Sequence, residues 1–267
     1  MDNVKRITVR DLQKMKQTGQ KIVTVTSYDA ITARLVDEAG LHLILVGDSA
    51  GNTVLGYSNT IPVTMEESLM LTSAVRRGAR RAMVIGDMPF GSYQVSPEEA
   101  VRNASRYLKE CGADGVKLEG GKAVYPIIRR LVEASIPVMG HVGLLPQSVL
   151  KDGGYRAHGK SEEEAQAVVE DALAVQEAGA FAVVLECIPA ALAERITKTL
   201  SIPTIGIGAG PHCDGQIQVV TDVLGLGSYV PRHASQFAHL ADAASAGLRE
   251  YFAKVSDGSF PGPENSI

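Results

Sequence analysis

The sequence predicts a (β/α)8 barrel, and two observations carry the prediction. Eight short, apolar, β-branched runs alternate with helical patterns along the 267 residues, and no change in composition divides the chain. Continuous apolar runs are typical of strands buried on both faces of a parallel sheet. Eight such strands alternating with helices indicate a closed parallel barrel. A doubly wound open sheet is the alternative, but no GxGxxG motif follows a strand. We therefore expect a single barrel domain over residues 1–267.

The elements follow each other from the amino end. The predicted strands are "KIVTVTSYD", "HLILVGDS", "AMVIGDMP", "GVKLEG", "PVMGHVGL", "FAVVLECI", "PTIGIGAG" and a weaker eighth run in "VVTDVLGL". The predicted helices cover residues 30–39, 65–78, 97–111, 123–134, 161–178 and 191–200. Thr64 with Glu67 forms a capping-box pattern, and Pro97 after Ser96 suits a first helical position. Ser161 before three glutamates predicts another helix start.

Composition excludes several functional classes. The net charge is −4 and the basic residues do not cluster, so binding to nucleic acid or to a membrane surface has little electrostatic support. No apolar run reaches the roughly 20 residues of a spanning helix. "MDNVKRITVRDLQKMKQ" lacks an apolar signal core. The three cysteines form no CxxC pair, which favours reduced thiols. We expect a cytoplasmic protein with small-molecule partners.

Two connections are longer than usual and contain several glycines. They are residues 51–63 and 146–160, and both follow predicted strands. Long loops in compact domains are often lids or binding loops. A plain surface excursion is the alternative for each.

Charged and polar residues stand at the carboxyl ends of five successive predicted strands. They are Asp48 and Ser49 after the second strand, Asp87 after the third, Lys117 and Glu119 in the fourth, His141 in the fifth and Glu186 in the sixth. The active site of a parallel barrel lies at this end. Lys117 and Glu119 are two residues apart, so both point into the mouth while Leu118 faces the helices.

Crowded carboxylates at this mouth predict a cation. Carboxylates in a low-dielectric environment repel each other and stay ionised only beside a positive charge. Mg²⁺ takes a few carboxylate oxygens together with waters and substrate oxygens, and the candidates are Asp48, Asp87 and Glu119. No Cys/His spacing indicates zinc. Glu186 ends an apolar strand, where a carboxylate without a function is costly.

Each of these residues also has a structural interpretation. Asp48 is alternatively a helix cap, and Asp87 a turn former. Lys117 and Glu119 alternatively form an internal ion pair, and His141 is alternatively a hydrogen-bonded core residue. Caps and turns do not explain charged residues at five successive strands, so the set as a whole favours a functional site.

The motifs of the chain resemble the ketopantoate hydroxymethyltransferase family, also called 3-methyl-2-oxobutanoate hydroxymethyltransferase. The matching motifs are "VGDSAGNTVLGY" with "PVT", "GDMPFGSYQ", "VKLEGG", "GHVGL-PQS", "GGYRAHG", "VLECIP" and "IGIGAG…DGQ". The similarity runs from "TSYD" to "FPGPENS" and so covers nearly the whole chain. The order and combination of these motifs make the resemblance specific.

The resemblance implies a fold, a reaction and an assembly. The fold is a (β/α)8 barrel of the phosphoenolpyruvate/pyruvate type. The reaction transfers a hydroxymethyl group from 5,10-methylenetetrahydrofolate to 3-methyl-2-oxobutanoate (2-oxoisovalerate), giving 2-dehydropantoate on the way to pantothenate and coenzyme A. The resemblance further implies Mg²⁺ and a homo-oligomer, often a decamer.

The resemblance also implies roles for individual residues. It makes Asp48 and Asp87 metal ligands, with Glu119 in the metal site directly or through water. Ser49 and Lys117 are expected to contact the 2-oxo acid, which the metal ligands Asp48 and Asp87 also help to bind, and Glu186 to accept its proton; Tyr28 and His141 are expected in the substrate pocket. One departure is Leu145, where the family commonly has Thr; this removes a hydroxyl near the 146–160 loop.

Two rival functions remain on the same barrel. A Mg²⁺-dependent lyase or mutase acting on 2-oxo acids needs similar carboxylates but no folate. A lyase of the isocitrate type usually carries a reactive Cys in a KKCGH-like loop, which this chain lacks. A non-catalytic scaffold leaves the crowded charges unexplained.

Overall fold

The computed structural model describes residues 5–227 and 229–267. The chain separates into two compact units, one ending at Val219 and the other spanning Val220–Ile267. Each unit is described by itself below. Residues 1–4 and 228 of the predicted single domain lie outside the described residues, and the single domain stays a prediction.

The first unit is a closed barrel of eight parallel strands in chain order, in which β8 pairs with β1. The strands are β1 (Ile22–Thr26), β2 (Leu43–Val46), β3 (Met83–Asp87), β4 (Gly115–Lys117), β5 (Val138–Gly143), β6 (Ala182–Glu186), β7 (Thr204–Ile207) and β8 (Gly215–Gln218). Every neighbouring pair is parallel, as the apolar runs predict. The predicted barrel is confirmed.

Helices cover the outside of this barrel. They are α1 (Val9–Thr18), α2 (Ala30–Glu38), α3 (Ala50–Thr53), α4 (Met65–Gly78), α5 (Pro97–Glu110), α6 (Tyr125–Glu133), α7 (Glu162–Glu177) and α8 (Ala190–Thr199). Thr64, Ser96 and Ser161 are the N-caps of α4, α5 and α7, and their side chains accept backbone N–H groups. The predicted caps are therefore confirmed, whereas α1 was not predicted.

The predicted eighth strand is wrong. The strand β8 lies earlier, at Gly215–Gln218, and the run "VVTDVLGL" instead contains a short helix, α9 (Val220–Val223). The apolar residues of that run repeat with helical rather than alternating spacing. Residues 208–214 join β7 to β8 as turns without a helix.

Side chains inside the barrel are apolar towards the amino ends of the strands. Leu43, Met83 and Ile205 pack in one cluster with Leu12 and Met15 of α1. Helix α1 therefore covers the amino end of the barrel and buries its lowest apolar layer. The opposite, carboxyl end is the accessible one.

The second unit contains α9, α10 (Leu240–Ser256) and a 3-10 turn at Pro263–Asn265. None of the residues of α10 is buried. Among the described residues of the chain, no helix is both long and apolar enough to cross a membrane.

Two carboxylates at the amino ends of the strands connect neighbouring elements. Asp214, just before β8, accepts hydrogen bonds from the Thr204 backbone N–H at 2.9 Å and from Lys16 Nζ at 2.7 Å. Asp114, just before β4, accepts one from the Val84 backbone N–H at 2.9 Å. Charged residues at this end hold strands and helices in register, which is a structural role.

We expect Asp214→Ala to destabilise the protein by about 1–3 kcal/mol, because a partly buried N–H and an ammonium lose their acceptor. Urea unfolding followed by circular dichroism measures this change. Glu133→Ala is the control, since Glu133 makes an exposed ion pair with Arg129 and exposed pairs contribute little to stability. Equal losses in the two variants would contradict the structural role of Asp214.

Candidate active site

Strand alternation brings the predicted charged residues to one mouth. In β3 the inward positions are Met83, Ile85 and then Asp87, so the apolar layers end in a carboxylate. In β6 the same alternation turns Val184 inward and then Glu186. The strand period of two residues therefore produces a barrel with an apolar interior and a charged rim.

Lys117 occupies the centre of this rim. Its ammonium Nζ lies 2.9 Å from Asp87 Oδ1, 3.7 Å from Glu119 Oε1 and 3.3 Å from His141 Nδ1. All four side chains are buried. Burial lowers the pKa of Lys117, but the charges of Asp87 and Glu119 outweigh it and raise this pKa above its usual value. Lys117 is therefore a permanent positive charge inside the mouth.

The carboxylates around Lys117 are buried close together, and burial and mutual repulsion disfavour their charged forms. Burial raises the pKa of Asp87 to about 7, against the opposing charge of Lys117. Burial also raises the pKa of Glu119 well above its usual value, and the carboxylates of Asp48 and Asp87 raise it further. Among the described residues, Asp87 Oδ1 and Glu119 Oε1 are buried without a well-aligned hydrogen-bond donor. One ammonium does not satisfy this much negative charge.

His141 links Lys117 to Glu186. Burial lowers the pKa of His141, and the charge of Lys117 lowers it further, so the imidazole is neutral. An ammonium only donates, so Nδ1 facing Lys117 accepts and the ring proton resides on Nε2. That Nε2 lies 3.2 Å from Glu186 Oε2. The side chain of Glu186 is 16% exposed, so it is accessible from the mouth.

Asp48 does not cap a helix. The N-cap of α3 is Ser49, and Asp48 Oδ2 instead accepts a hydrogen bond of 2.9 Å from Gln147 Nε2. The Asp48 backbone N–H donates to Asp87 Oδ2 at 3.0 Å. The turn after β2 is thus fastened to the end of β3, and both carboxylates face the same mouth.

Ser49 and Tyr28 form the side of the mouth next to Asp48. The Tyr28 hydroxyl lies 2.8 Å from Ser49 Oγ and accepts a hydrogen bond of 2.9 Å from Thr26 Oγ1. Burial raises the pKa of Tyr28, so its hydroxyl stays protonated. Both predicted residues therefore lie beside Asp48, and their hydroxyl groups contact each other there.

The carboxylate oxygens of Asp48, Asp87 and Glu119 suit a hard divalent cation, but they are not already arranged around one ion position. Among the described residues, no three His, Cys, Asp or Glu side chains are arranged to share one metal ion. Mg²⁺, however, is commonly held by only one or two carboxylates, together with waters and substrate oxygens. The buried acceptors Asp87 Oδ1 and Glu119 Oε1 have the chemistry that such an ion needs.

The segment 146–160, here called the lid segment, is attached to the mouth at both ends. At its start, Gln147 contacts Asp48 and Glu119. Near its end, the His158 backbone N–H donates to the Cys187 carbonyl at 3.2 Å, next to Glu186. Between them, burial and the mouth carboxylates, Asp48 first, raise the pKa of Tyr155. The predicted long loop therefore lies over the charged rim.

Sequence reasoning missed two buried residues of this site, Gln147 and Tyr93. The Tyr93 hydroxyl donates to Gln147 Oε1 at 2.9 Å and accepts the Glu119 backbone N–H at 3.2 Å. Both residues lie within the motifs "PQS" and "GDMPFGSYQ". The search for charged residues at strand ends could not find them, because neither carries a charge. Only their positions within these motifs pointed to the site.

A cavity of about 220 Å³ opens between the lid segment and α7. Its walls include the basic side chains of Lys151 and Arg156, and His158. Gly143, at the end of β5, has φ 96° and also lines this cavity. A Cβ there would lie 2.3 Å from the Glu186 carbonyl oxygen, so only glycine allows this close approach.

Solved structures with this architecture define the class of fold. A phosphonopyruvate hydrolase in complex with oxalate and Mg²⁺ matches with a TM-score of 0.62 at 15% identity, covering 97% of this chain and 93% of that chain. A 2,3-dimethylmalate lyase, a member of the PEP mutase/isocitrate lyase superfamily, matches with a TM-score of 0.58 at 18% identity, covering 97% and 91%. The chain therefore has the parallel barrel fold of that superfamily.

Sequence comparison identifies the family. The profile of ketopantoate hydroxymethyltransferase matches residues 6–263. The 3-methyl-2-oxobutanoate hydroxymethyltransferase of Heliobacterium modesticaldum is 52% identical, over 98% of this chain and 96% of the relative. That of Chloroflexus aurantiacus is 54% identical, over 98% and 92%. The chain belongs to the ketopantoate hydroxymethyltransferase family and is a transferase.

We expect Lys117→Met to lower the free energy of unfolding by about 3–5 kcal/mol, because it leaves buried carboxylates without their counter-charge. Thermal and urea unfolding at neutral pH measure the change. Lys122→Met is the matched control, since Lys122 forms an exposed pair with Glu170 and we expect a much smaller change there. Similar losses in both variants would show that Lys117 does not balance the carboxylates.

Proposed function

We propose that the protein transfers a hydroxymethyl group from 5,10-methylenetetrahydrofolate to 3-methyl-2-oxobutanoate, producing 2-dehydropantoate. Family membership supports the reaction. The observation that carries it is the pairing of Glu186 with neutral His141, 3.2 Å apart, beside a buried positive charge. Removing a proton next to a carbonyl needs such a base and such a charge.

Glu186 is the proposed general base. It removes the proton from C3 of the oxo acid, the carbon next to the carbonyl. The His141 Nε2 proton faces Glu186 Oε2, which leaves the other carboxylate oxygen to take the proton. His141 Nε2 has no well-aligned hydrogen-bond acceptor among the described residues, and catalytic hydrogen bonds often tighten only when the substrate binds, so we propose that His141 orients the base in the substrate complex.

Lys117, Ser49 and Tyr28 are the proposed contacts of the 2-oxo acid. The ammonium of Lys117 attracts the substrate's carboxylate and opposes the negative charge that develops on the oxo oxygen. The hydroxyls of Ser49 and Tyr28 lie within 2.8 Å of each other and orient the substrate by hydrogen bonds. Their fixed positions reduce the freedom of the substrate before reaction.

Asp48, Asp87 and Glu119 are proposed to hold Mg²⁺, directly or through water. A bound Mg²⁺ supplies Lewis-acid stabilisation of negative charge on the substrate's oxygens. Glu119 Oε1, which is buried without a hydrogen bond among the described residues and lies 3.7 Å from Lys117 Nζ, supports this assignment.

The second substrate completes the reaction. After proton removal, C3 of the oxo acid bonds to the methylene carbon of the folate, and water supplies the hydroxyl of the new hydroxymethyl group. Both C–N bonds to that carbon break, the proton from C3 and one from water pass to the two nitrogens, and tetrahydrofolate leaves. The lid segment, attached above the rim, limits the access of bulk water to the reacting carbon. Lyase or mutase chemistry on the same barrel would need no folate, so the folate requirement separates these functions.

Incubation with 3-methyl-2-oxobutanoate in D₂O tests the proposed reaction. We expect Mg²⁺-dependent loss of the C3 proton signal in NMR spectra, and 2-dehydropantoate once methylenetetrahydrofolate is added. Because proton removal can require the complete complex, the folate is added before an unchanged signal is judged. No exchange and no product with every component present would refute the proposal.

We expect Glu186→Gln to lower kcat by about 10²–10⁴-fold while the oxo acid still binds, because the variant keeps the shape but loses the base. Steady-state kinetics and calorimetric titration of the oxo acid measure the two effects. Glu194→Gln on α8 is the matched control, as Glu194 pairs with Lys198 on the surface. Turnover near that of the unmodified protein would remove Glu186 from the role of base.

The homo-oligomer, often a decamer in the family, and the cytoplasmic location stay predictions. The exposed apolar side chains of α10, among them Leu248, Tyr251 and Phe252, support subunit association. Light scattering on the full chain measures the mass, and a monomer at micromolar concentration would contradict the predicted assembly.

A further inference from the structure

Gln147 holds two of the three proposed metal carboxylates at once. Its backbone N–H donates to Glu119 Oε2 at 3.0 Å, and its side-chain Nε2 donates to Asp48 Oδ2 at 2.9 Å. Nε2 also donates to the Met88 carbonyl at 3.0 Å. Gln147 is buried and uncharged, so it satisfies these oxygens without competing as a cation.

The orientation of the Gln147 amide is fixed by its neighbours. Its Oε1 accepts from the Tyr93 hydroxyl at 2.9 Å and from Gln94 Nε2 at 3.3 Å. A flipped amide would place Oε1 against two acceptors, the Asp48 carboxylate and the Met88 carbonyl. The full hydrogen-bonding capacity of the side chain is therefore used in one orientation.

The two oxygens of the Glu119 carboxylate have different surroundings. Glu119 Oε2 is anchored by Gln147, whereas Oε1 faces Lys117 without a hydrogen bond among the described residues. Asp87 follows the same pattern, with Oδ2 anchored by the Asp48 backbone N–H and Oδ1 directed at Lys117. Groups around a metal site that anchor one ligand oxygen orient the other one.

We infer that Gln147 is a positioning residue that orients Asp48 and Glu119 for the divalent cation and connects cation binding to the lid segment. This inference rests on the proposed function, because it needs the cation site. Gln147 lies in the 3-10 turn Pro146–Ser148 that begins the lid segment. A cation that fixes the two carboxylates therefore also fixes this turn, and by linkage an ordered turn favours the cation.

Binding of Mn²⁺ alone to the full chain, measured by electron paramagnetic resonance, tests the inference without turnover. Gln147→Met removes the amide contact to Asp48 but keeps the backbone N–H contact to Glu119, and we expect it to weaken Mn²⁺ binding by about 10–100-fold, the usual effect of removing a partner of a metal ligand. Gln147→Asn keeps an amide but is one methylene too short to reach Asp48, and we expect a similar loss. Affinities within twofold of the unmodified protein in both variants would overturn the inference.

Gln176→Met is the matched control for lost glutamine hydrogen bonds. Gln176 Oε1 accepts the Ser201 and Ile202 backbone N–H groups at the amino end of β7, away from the mouth. We expect this variant to lower the melting temperature while Mn²⁺ affinity is unchanged. Weakening of Mn²⁺ binding in Gln176→Met equal to that in Gln147→Met would make the effect one of general stability and overturn the inference.

Asp48→Asn distinguishes a failure of the positioning role of Gln147 from a failure of the cation site. If Asp48→Asn abolishes Mn²⁺ binding while Gln147→Met does not weaken it, the positioning role fails and the cation site stands. If the unmodified protein binds no Mn²⁺ even with 3-methyl-2-oxobutanoate present, or if Asp48→Asn leaves binding unchanged, the cation site of the proposed function fails, and the inference fails with it.

Limited trypsin cleavage gives a second readout at the lid segment. Lys151 and Arg156 are exposed cleavage sites within it. We expect saturating Mn²⁺ to slow cleavage there in the unmodified protein and in Gln176→Met, but not in Gln147→Met at equal Mn²⁺ occupancy. Equal protection of Gln147→Met would overturn the connection between the cation and the lid segment.

Discussion

A single ammonium group, buried among carboxylates, sets the chemistry of the barrel mouth. Lys117 lies within 3.7 Å of Asp87, Glu119 and His141 and is shielded from water. Burial and this charge lower the pKa of His141 and keep its imidazole neutral, and the contact with the ammonium assigns the ring proton to Nε2, which faces Glu186. The mouth thus contains a cationic centre and, on the other side of His141, the carboxylate of Glu186. Chemistry that draws a proton from a carbon acid needs both.

The same cluster carries an excess of negative charge that the barrel itself does not neutralise. Burial raises the pKa of Asp87 and Glu119, which is the electrostatic sign of unsatisfied anions. The carboxylate of Asp214, at the opposite end of the strands, differs from these because its hydrogen bonds are made. It accepts one from the Thr204 backbone N–H and one from the Lys16 ammonium. Stability and reactivity are therefore assigned to opposite ends of the barrel.

Local patterns were sufficient for the barrel and for the charged rim. The two-residue period of β3, β4 and β6 decides that Asp87, Lys117 and Glu186 point inward, and this period is visible in the sequence. Local sequence patterns were not sufficient to predict Gln147 as a site residue, because the hydrogen bond from Gln147 to Asp48 joins residues 99 positions apart. Strand β8 was misplaced for a related reason: "GQIQ" has little apolar character, and its neighbours β7 and β1 define it as a strand.

Helix α1 closes the amino end of the barrel with Leu12 and Met15. The amino end of the barrel is therefore closed, and the proposed substrates enter and leave at the carboxyl end. In the proposed transfer, tetrahydrofolate and the product would leave past the lid segment, which lies over the rim. Departure then depends on displacement of the lid segment, and the slowest event of a turnover can be a movement of the chain rather than a chemical step.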